Sequence, residues 1–234
     1  MSASPDHRLP PVFIQARMSS RRLPGKVLMD LAGQPVLGRL LGRLALSRSP
    51  LEIAVLTSDH PNDDPIARFC AQHGARCHRG PLDDVALRFL GAAHALKARA
   101  CVRLSADSPL FDARVLDRLM DLHQRQPLAL TTNVHPRSFP KGQSAEIFPV
   151  ELLAAHHPNF SPEDREHVTR YFYNNAGSWK IANLRHEPSA AQLSLALDTP
   201  EDRQRLEELL RSRQGAEKLS WQALLDLPAG SEAA

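Results

Sequence analysis

Short apolar runs alternate with amphipathic segments through the first half of the chain. "PVFIQA" predicts a strand, and after a polar stretch "PVLGRLLGRLALS" carries Leu37, Leu40, Leu41 and Leu44 at helical spacing, with Pro35 near the first turn. "EIAVLTS" predicts a second strand, ending in the polar turn "DHPNDDP". The pattern then predicts a helix near residues 64 to 73, a short strand at "ARCHR", a helix over roughly 83 to 97, a strand at "ACVRLSAD" and a helix from about Asp112 to Arg125. Strand and helix in this rhythm predict an α/β fold, a mostly parallel central sheet with helices on both faces.

The rhythm changes after "PLALTTN". A stretch rich in Pro and His, "VHPRSFPKGQ", leads to a strand at "AEIFP" and a helix around 150 to 157. A further helix opens at "SPEDREHV", where Ser161 is a natural N-cap, Pro162 sits at N1, and Glu163 and Asp164 complement the helix dipole. A last strand is expected around "LSLAL", followed by the well-signalled helix "DTPEDRQRLEELLRSR". The expected organisation is one domain over 11–227, with a disordered lead-in over 1–10 and a frayed tail over 228–234.

Composition narrows the classes. With 42% hydrophobic and 24% charged residues the chain reads as a globular protein, and no apolar run approaches the roughly 20 residues of a membrane span. Cys70, Cys77 and Cys101 form no C-x-x-C pair, which argues against a disulfide framework and a common zinc site and fits a reducing cytoplasm. A formal charge of +3 is too small to argue for nucleic-acid binding. The charge is concentrated in one place.

In open parallel sheets, ligands bind beyond the carboxyl ends of the strands, which directs attention to the loops after Ala16, Thr57, Ser105 and Leu197. The first, "IQARMSSRRLPGK", brings Arg17, Arg21, Arg22 and Lys26 together with Ser19, Ser20 and Gly25 and no anion. Guanidinium forks, an ammonium, hydroxyls and backbone N–H groups suit a polyphosphate. The loop is not a Walker A motif, which requires Gly and Ser or Thr where Ser20 and Val27 stand. On charge alone, a solvated basic loop is the favoured reading, because short basic runs are common on surfaces.

The opening "IQARMSSRRLPGKVLMDLAGQPVLGRLLGRL" resembles that of bacterial cytidylyltransferases of the spore-coat polysaccharide synthesis type, relatives of acylneuraminate and 3-deoxy-manno-octulosonate cytidylyltransferases, which carry A-R-x-G-S-x-R-L-P-G-K after a strand. The likeness continues in order through "TSDHPNDDPIARFC", "HRGPLDDVALRF", "RLSADSPLFD", "EDREHVTRYFY" and "LALDTPEDRQRLEEL", covering roughly residues 11 to 212. It implies a nucleotide-diphospho-sugar transferase fold, Rossmann-like, with Arg17 and Lys26 holding the triphosphate of CTP. It also implies a homodimer, for which a region around 134–186 is a plausible contact as well as the sugar side.

Asp107 in "SADSPLFD" and Asp198 in "ALDTPED" each follow a predicted strand. On parallel neighbours their carboxylates converge, and Mg2+ favours one or two carboxylates plus substrate phosphate oxygens. The resemblance carries the family's metal ligands onto this pair. Asp107 is equally readable as a turn cap before Ser108 and Pro109, whereas Thr199 and Pro200 already cap the last helix and leave the Asp198 carboxylate free.

For the base, the candidates are Thr57, Ser58, Asp59, Arg79 and Gly80, with Ala16 and Ala106 beside the phosphates; ordinary turn chemistry is the alternative at Asp59. For the sugar they are Lys141, Glu146, Arg165, Glu166 and His167, the last three on a helix whose stripe is Val168, Tyr171 and Phe172. Before the resemblance is considered, the default there is a solvated face made by Arg165, Glu166, His167 and Thr169. The chain departs from the family pattern at Ser19 and Ala106, usually Gly, at Arg21, usually small and polar, at Leu87 and Ser144, usually Asp, and at Arg170, commonly Pro. A Cβ at 19 obstructs phosphate only if that residue needs positive φ. The expected activity is CMP transfer from CTP to an acidic or other surface-polysaccharide sugar, with pyrophosphate release. A glycosyltransferase is the alternative, disfavoured by the lack of a D-x-D triplet around Asp107. A catalytically weakened nucleotide-binding protein of the same fold is the other.

Overall fold

The computed structural model describes residues 9–126 and 129–227. Most of the expected lead-in, the expected tail, and Pro127 and Leu128 of the segment "PLALTTN" lie outside the described residues. Among the described residues no helix is long and apolar enough to cross a membrane.

The strands β1 (Val12–Gln15), β4 (Ile53–Ser58), β5 (Arg76–Gly80) and β6 (Ala100–Ser105) lie parallel in one seven-stranded sheet. Its order is completed by β8 (Glu146–Pro149), β7 (Leu130–Thr132) and β9 (Ile181–Asn183), giving β5-β4-β1-β6-β8-β7-β9. β8 runs antiparallel to both of its neighbours. A short hairpin, β2 (Asp30–Leu31) and β3 (Gln34–Pro35), stands apart from it. The mostly parallel sheet matches the expectation from alternating elements; β9 and the hairpin were not signalled, since two or three residues are too few to show a period.

Alternation along β1 divides the core. Val12 and Ile14 pack on one side with α1 (Val36–Leu44), α2 (Asp64–Gln72), α4 (Ala113–Arg125) and α8 (Pro200–Arg211). Phe13 packs on the other with α3 (Val85–Ala95), α5 (Val150–His156) and α7 (Arg170–Asn174). A strand covered on both faces buries every residue, and Val12, Phe13 and Ile14 are fully buried. Each such side chain stabilises the fold by about 1.5–3 kcal/mol relative to exposure.

Two expectations are corrected. "LSLAL" is not a strand of the sheet: both edges of β6 are taken, by β1 and β8, so the segment pairs with a loop instead. Lys141 N donates to Leu193 O at 3.0 Å, Leu195 N to Lys141 O at 2.7 Å, and Leu197 N to Asp107 O at 2.9 Å. Gly142 permits this approach, because a Cβ there would lie 2.5 Å from the Leu195 carbonyl carbon, and its φ is 85°.

The helix expected through "REHVTRYF" is broken. α6 (Pro162–Glu166) opens on a Ser161 capping box as expected, but Val168 adopts a φ of 20° and α7 starts afresh at Arg170. The break buries Val168 completely and lets the Thr169 hydroxyl donate to Glu146 at 2.7 Å. The proposed solvated face therefore does not include Thr169, which is 2% exposed. A short final helix, α9 (Trp221–Leu225), completes the chain and had no expectation attached.

Candidate active site

The first loop is anchored before it is charged. Asp63, 1% exposed at the start of α2, accepts from Met18 N at 2.7 Å and from Ser58 N at 3.2 Å, and the Ser58 hydroxyl donates to it as well. This ties the loop after β1 to the end of β4. Gly25, at φ 73°, then turns the chain into a short 3-10 helix, Lys26–Leu28, and its N–H donates to Met18 O at 2.9 Å. A positive φ explains glycine here.

That turn directs Lys26 inward. Its ammonium donates to Asp107 Oδ2 at 2.7 Å, to Asp198 Oδ1 at 2.8 Å and to the Leu197 carbonyl at 2.8 Å, which uses all three of its protons. Asp107 follows β6, and Asp198 is delivered by the strap at 193–197 rather than by a strand. Thr199, with Pro200 at N1, forms the capping box of α8, so the Asp198 carboxylate is left for the cleft. Its second oxygen meets Arg22 at 3.1 Å.

These groups line one cleft of about 480 Å3, within the range of small-ligand sites. Ala16, Arg17, Ser20, Arg21, Arg22, Lys26, Asp107, Glu166, His167 and Asp198 all lie on its wall, from stretches far apart in sequence. Five of the lining side chains (Arg17, Arg21, Arg22, Lys26, Arg88) are cationic and three (Asp107, Glu166, Asp198) anionic, an excess that favours an anionic ligand. Arg17 pairs with Glu166 at 2.7 Å, both side chains 44% exposed, so that contact is readily exchanged for a ligand.

Other candidates sit elsewhere. Ser19 is exposed and outside the lining, and its φ is not in the left-handed region, so the Cβ there meets no backbone objection. Ala106 is buried, its N–H on Gln15 O. Thr57 is fully buried and its hydroxyl has no partner; Ser58 is engaged with Asp63, and Asp59 is exposed with its N–H on Gly80 O. Arg79 is folded back onto Ser58 O, His60 O and Asp64. Gly80 makes room for a side chain rather than for a base: a Cβ there would lie 2.9 Å from Arg88 Cγ. Lys141 is exposed and holds the strap by its backbone, and Arg165 lies 3.8 Å from Asp84.

Glu146 is the plainest correction among them. It is 3% exposed, and its oxygens accept from Arg103, Thr169 and Tyr173, so no face is left for a sugar. Burial alone would raise its pKa, but the Arg103 guanidinium and the Tyr173 and Thr169 hydroxyls hold it below the ordinary carboxylate value. Its effect on the cleft is indirect: Arg103 Nε donates at 2.9 Å to Gln15 Oε1, and Gln15 lines the cleft.

The departures from the family pattern are accommodated locally. Leu87 is exposed on α3, the Ser144 hydroxyl accepts from Arg137 at 2.9 Å, and Arg170 pairs with Glu163 and Asp164. The cleft also includes Gln15, Val27, Val85, Arg88 and Ser105, none of which the sequence named as a site residue. Arg88 in particular reads as an ordinary charged position on an amphipathic helix.

Residues 12–219 match the cytidylyltransferase family. The chain belongs to that family and is a nucleotidyltransferase. It is 32% identical over 205 residues to the spore coat polysaccharide biosynthesis protein SpsF of Bacillus subtilis (strain 168), covering 84% of each. It is 31% identical over 129 residues to a 3-deoxy-manno-octulosonate cytidylyltransferase of Neisseria meningitidis serogroup A, spanning 53% of this chain and 49% of that one. Among solved structures, a cytidylyltransferase from Leptospira borgpetersenii superposes with a TM-score of 0.88 at 31% identity, over 94% of this chain and 93% of the other. The fold and the family thus agree with the resemblance read from "ARMSSRRLPGK" onward.

Proposed function

We propose that this family member transfers CMP from CTP to a hydroxyl of an acidic or other surface-polysaccharide sugar and releases pyrophosphate. The observation that carries the reading is the convergence of Lys26, Asp107 and Asp198, from three separate stretches of chain, inside a cleft with surplus positive charge. In the reaction a sugar oxygen forms a bond to the α-phosphorus while the bond to the bridging oxygen of the β-phosphate breaks. Such chemistry is accelerated mainly by positioning and by neutralising charge.

Asp107 and Asp198 fit Mg2+. Both carboxylates reach one ammonium at 2.7 and 2.8 Å, so they also lie within reach of one cation, and a hard dication takes one or two carboxylates plus phosphate oxygens. Bound there, the ion would neutralise charge on the phosphates and orient the attack. Arg17, Arg21, Arg22 and Lys26 would steady the leaving pyrophosphate, and Glu166 and His167, on the same wall, would face the sugar. The homodimer through residues 134–186 rests on the family resemblance, and light scattering on the purified chain tests it.

Thermal-shift titration against the four nucleoside triphosphates with Mg2+ tests the reading, since a ligand that binds only the native state raises its melting temperature. CTP is expected to give the largest shift. A preference for another nucleotide overturns the cytidylyl assignment.

A further inference from the structure

Two arms of chain carry the carboxylates of the cleft: the loop 106–112, with Asp107, and the strap 193–197 ahead of Asp198. They meet directly where Leu197 N donates to Asp107 O. A second tie lies behind the cleft, in residues 141–143, none of which lines it. Gln143 is the centre of that tie. It is fully buried, and its amide acts as donor and acceptor on the backbone of the Asp107 loop: Nε2 donates to Leu110 O at 2.9 Å, and Oε1 accepts from Asp112 N at 2.9 Å. Leu110, Phe111 and Asp112 are themselves buried, whereas the Asp107 side chain opens to the cleft. The grip passes to Asp107 along closed turns, Phe111 N donating to Ser108 O at 3.1 Å and Ser108 N to Ser105 O at 3.2 Å.

The same segment holds the other arm. Lys141 brackets the strap through its N–H and carbonyl, and Gly142 packs directly against the Leu195 carbonyl. The segment is in turn fixed to the sheet. Asn133, fully buried and next after β7, donates through Nδ2 to Gln143 O at 2.6 Å and accepts at Oδ1 from Ala145 N at 2.9 Å, just ahead of β8. Both carboxylate arms are therefore held by one clamp rooted in the sheet, and Gln143 is the side chain by which it reaches the Asp107 arm.

Resting on the reading above that Asp107 and Asp198 hold the divalent cation, we infer that Gln143 is a positioning residue: through the backbone of Leu110 and Asp112 it sets where Asp107 stands relative to Asp198, and so how well the pair grips a metal ion bound with the triphosphate. An apolar side chain of similar size would fill the same space. It would also leave the Asp112 N–H and the Leu110 carbonyl buried without these partners, and the loop would shift to find new ones. Coordination of a small dication tolerates little displacement. Loss of a supporting contact behind a metal ligand typically costs about tenfold to a hundredfold in metal affinity.

Calorimetric titration of the intact chain with CTP, once with Mn2+ as the probe for a hard dication and once free of metal, tests this in the native protein, Gln143→Met and Gln143→Leu. Both substitutions keep an apolar side chain in the space and remove the two hydrogen bonds, so either one that folds carries the test. Each is expected to weaken CTP with Mn2+ about tenfold while leaving metal-free CTP within about twofold, and to change the electron paramagnetic resonance spectrum of the bound Mn2+. A partly unfolded variant lowers the stoichiometry of both titrations and leaves the ratio of the two affinities intact, so the ratio is read independently of folding. A ratio and a spectrum equal to those of the native protein, or equal weakening with and without metal, overturn the positioning role. Asp107→Asn tests the reading beneath it: if Mn2+ strengthens CTP binding to that variant as much as to the native protein, the metal assignment fails, and the role of Gln143 with it.

Discussion

Two clusters in this molecule each join a carboxylate to a cation, and they differ in what else is near. Around Glu146 the partners are Arg103, Thr169 and Tyr173, the carboxylate is sealed, and every contact is made within the protein. Around Lys26 the two carboxylates are 26% and 33% exposed and open onto a cleft lined by further arginines. The first cluster is complete without a ligand. The second is balanced only while Lys26 occupies it, and a polyphosphate with a dication offers both the carboxylates and the lysine new partners. Residue type alone does not separate an acid sealed in the interior from one open to a ligand; access and surplus charge do.

The largest effect should come from the open cluster. Asp107→Asn or Asp198→Asn is expected to lower pyrophosphate release from CTP by about a hundredfold to a thousandfold, as removal of one preorganised charge-stabilising group does. Stability should change by no more than about 1 kcal/mol, since these side chains are partly exposed. Substantial unfolding without loss of rate per folded molecule would place them with Glu146 instead.

The sealed cluster should behave in reverse. Glu146→Gln is expected to destabilise the fold by about 3 kcal/mol, because Arg103 loses a largely buried partner. As Glu146 titrates below its ordinary 4.5 in the folded state, its contribution is fully present above that value and fades as the pH falls through the folded one. Denaturation curves of native protein and variant should therefore converge on acidification. A constant gap down to pH 3 would deny the ionised state.

The smallest effect separates the open cluster from a merely exposed pair. Glu166→Gln breaks the Arg17 contact, and with both partners 44% exposed its stability effect should stay within about 1 kcal/mol. Any larger change would show that the pair holds the loop in place.

Local chemistry made much of this legible. Caps at Ser161 and Thr199 appear as read, since proline at N1 and a side-chain oxygen at N-cap act within one turn. The amphipathic helices and parallel strands also follow from their periods, and the basic loop is where the charge pattern put it. "LSLAL" misled because an apolar run reports burial and not the partner; here the neighbouring strands had already filled the sheet. The break at Val168 and the burial of Glu146 were equally hidden, because each depends on contacts between segments more than twenty residues apart.

By itself, then, the sequence determined the α/β alternation, the helix starts, the cationic loop and the family, all of which rest on neighbours along the chain. Only the tertiary structure decided that Lys26 bridges Asp107 and Asp198, that Glu146 belongs to the interior, and that Gln143 grips the Asp107 loop from behind the cleft. The reason is physical: the strength of a charge and the cost of an unmade hydrogen bond depend on what surrounds them in space, and those surroundings come from segments the chain brings together only on folding.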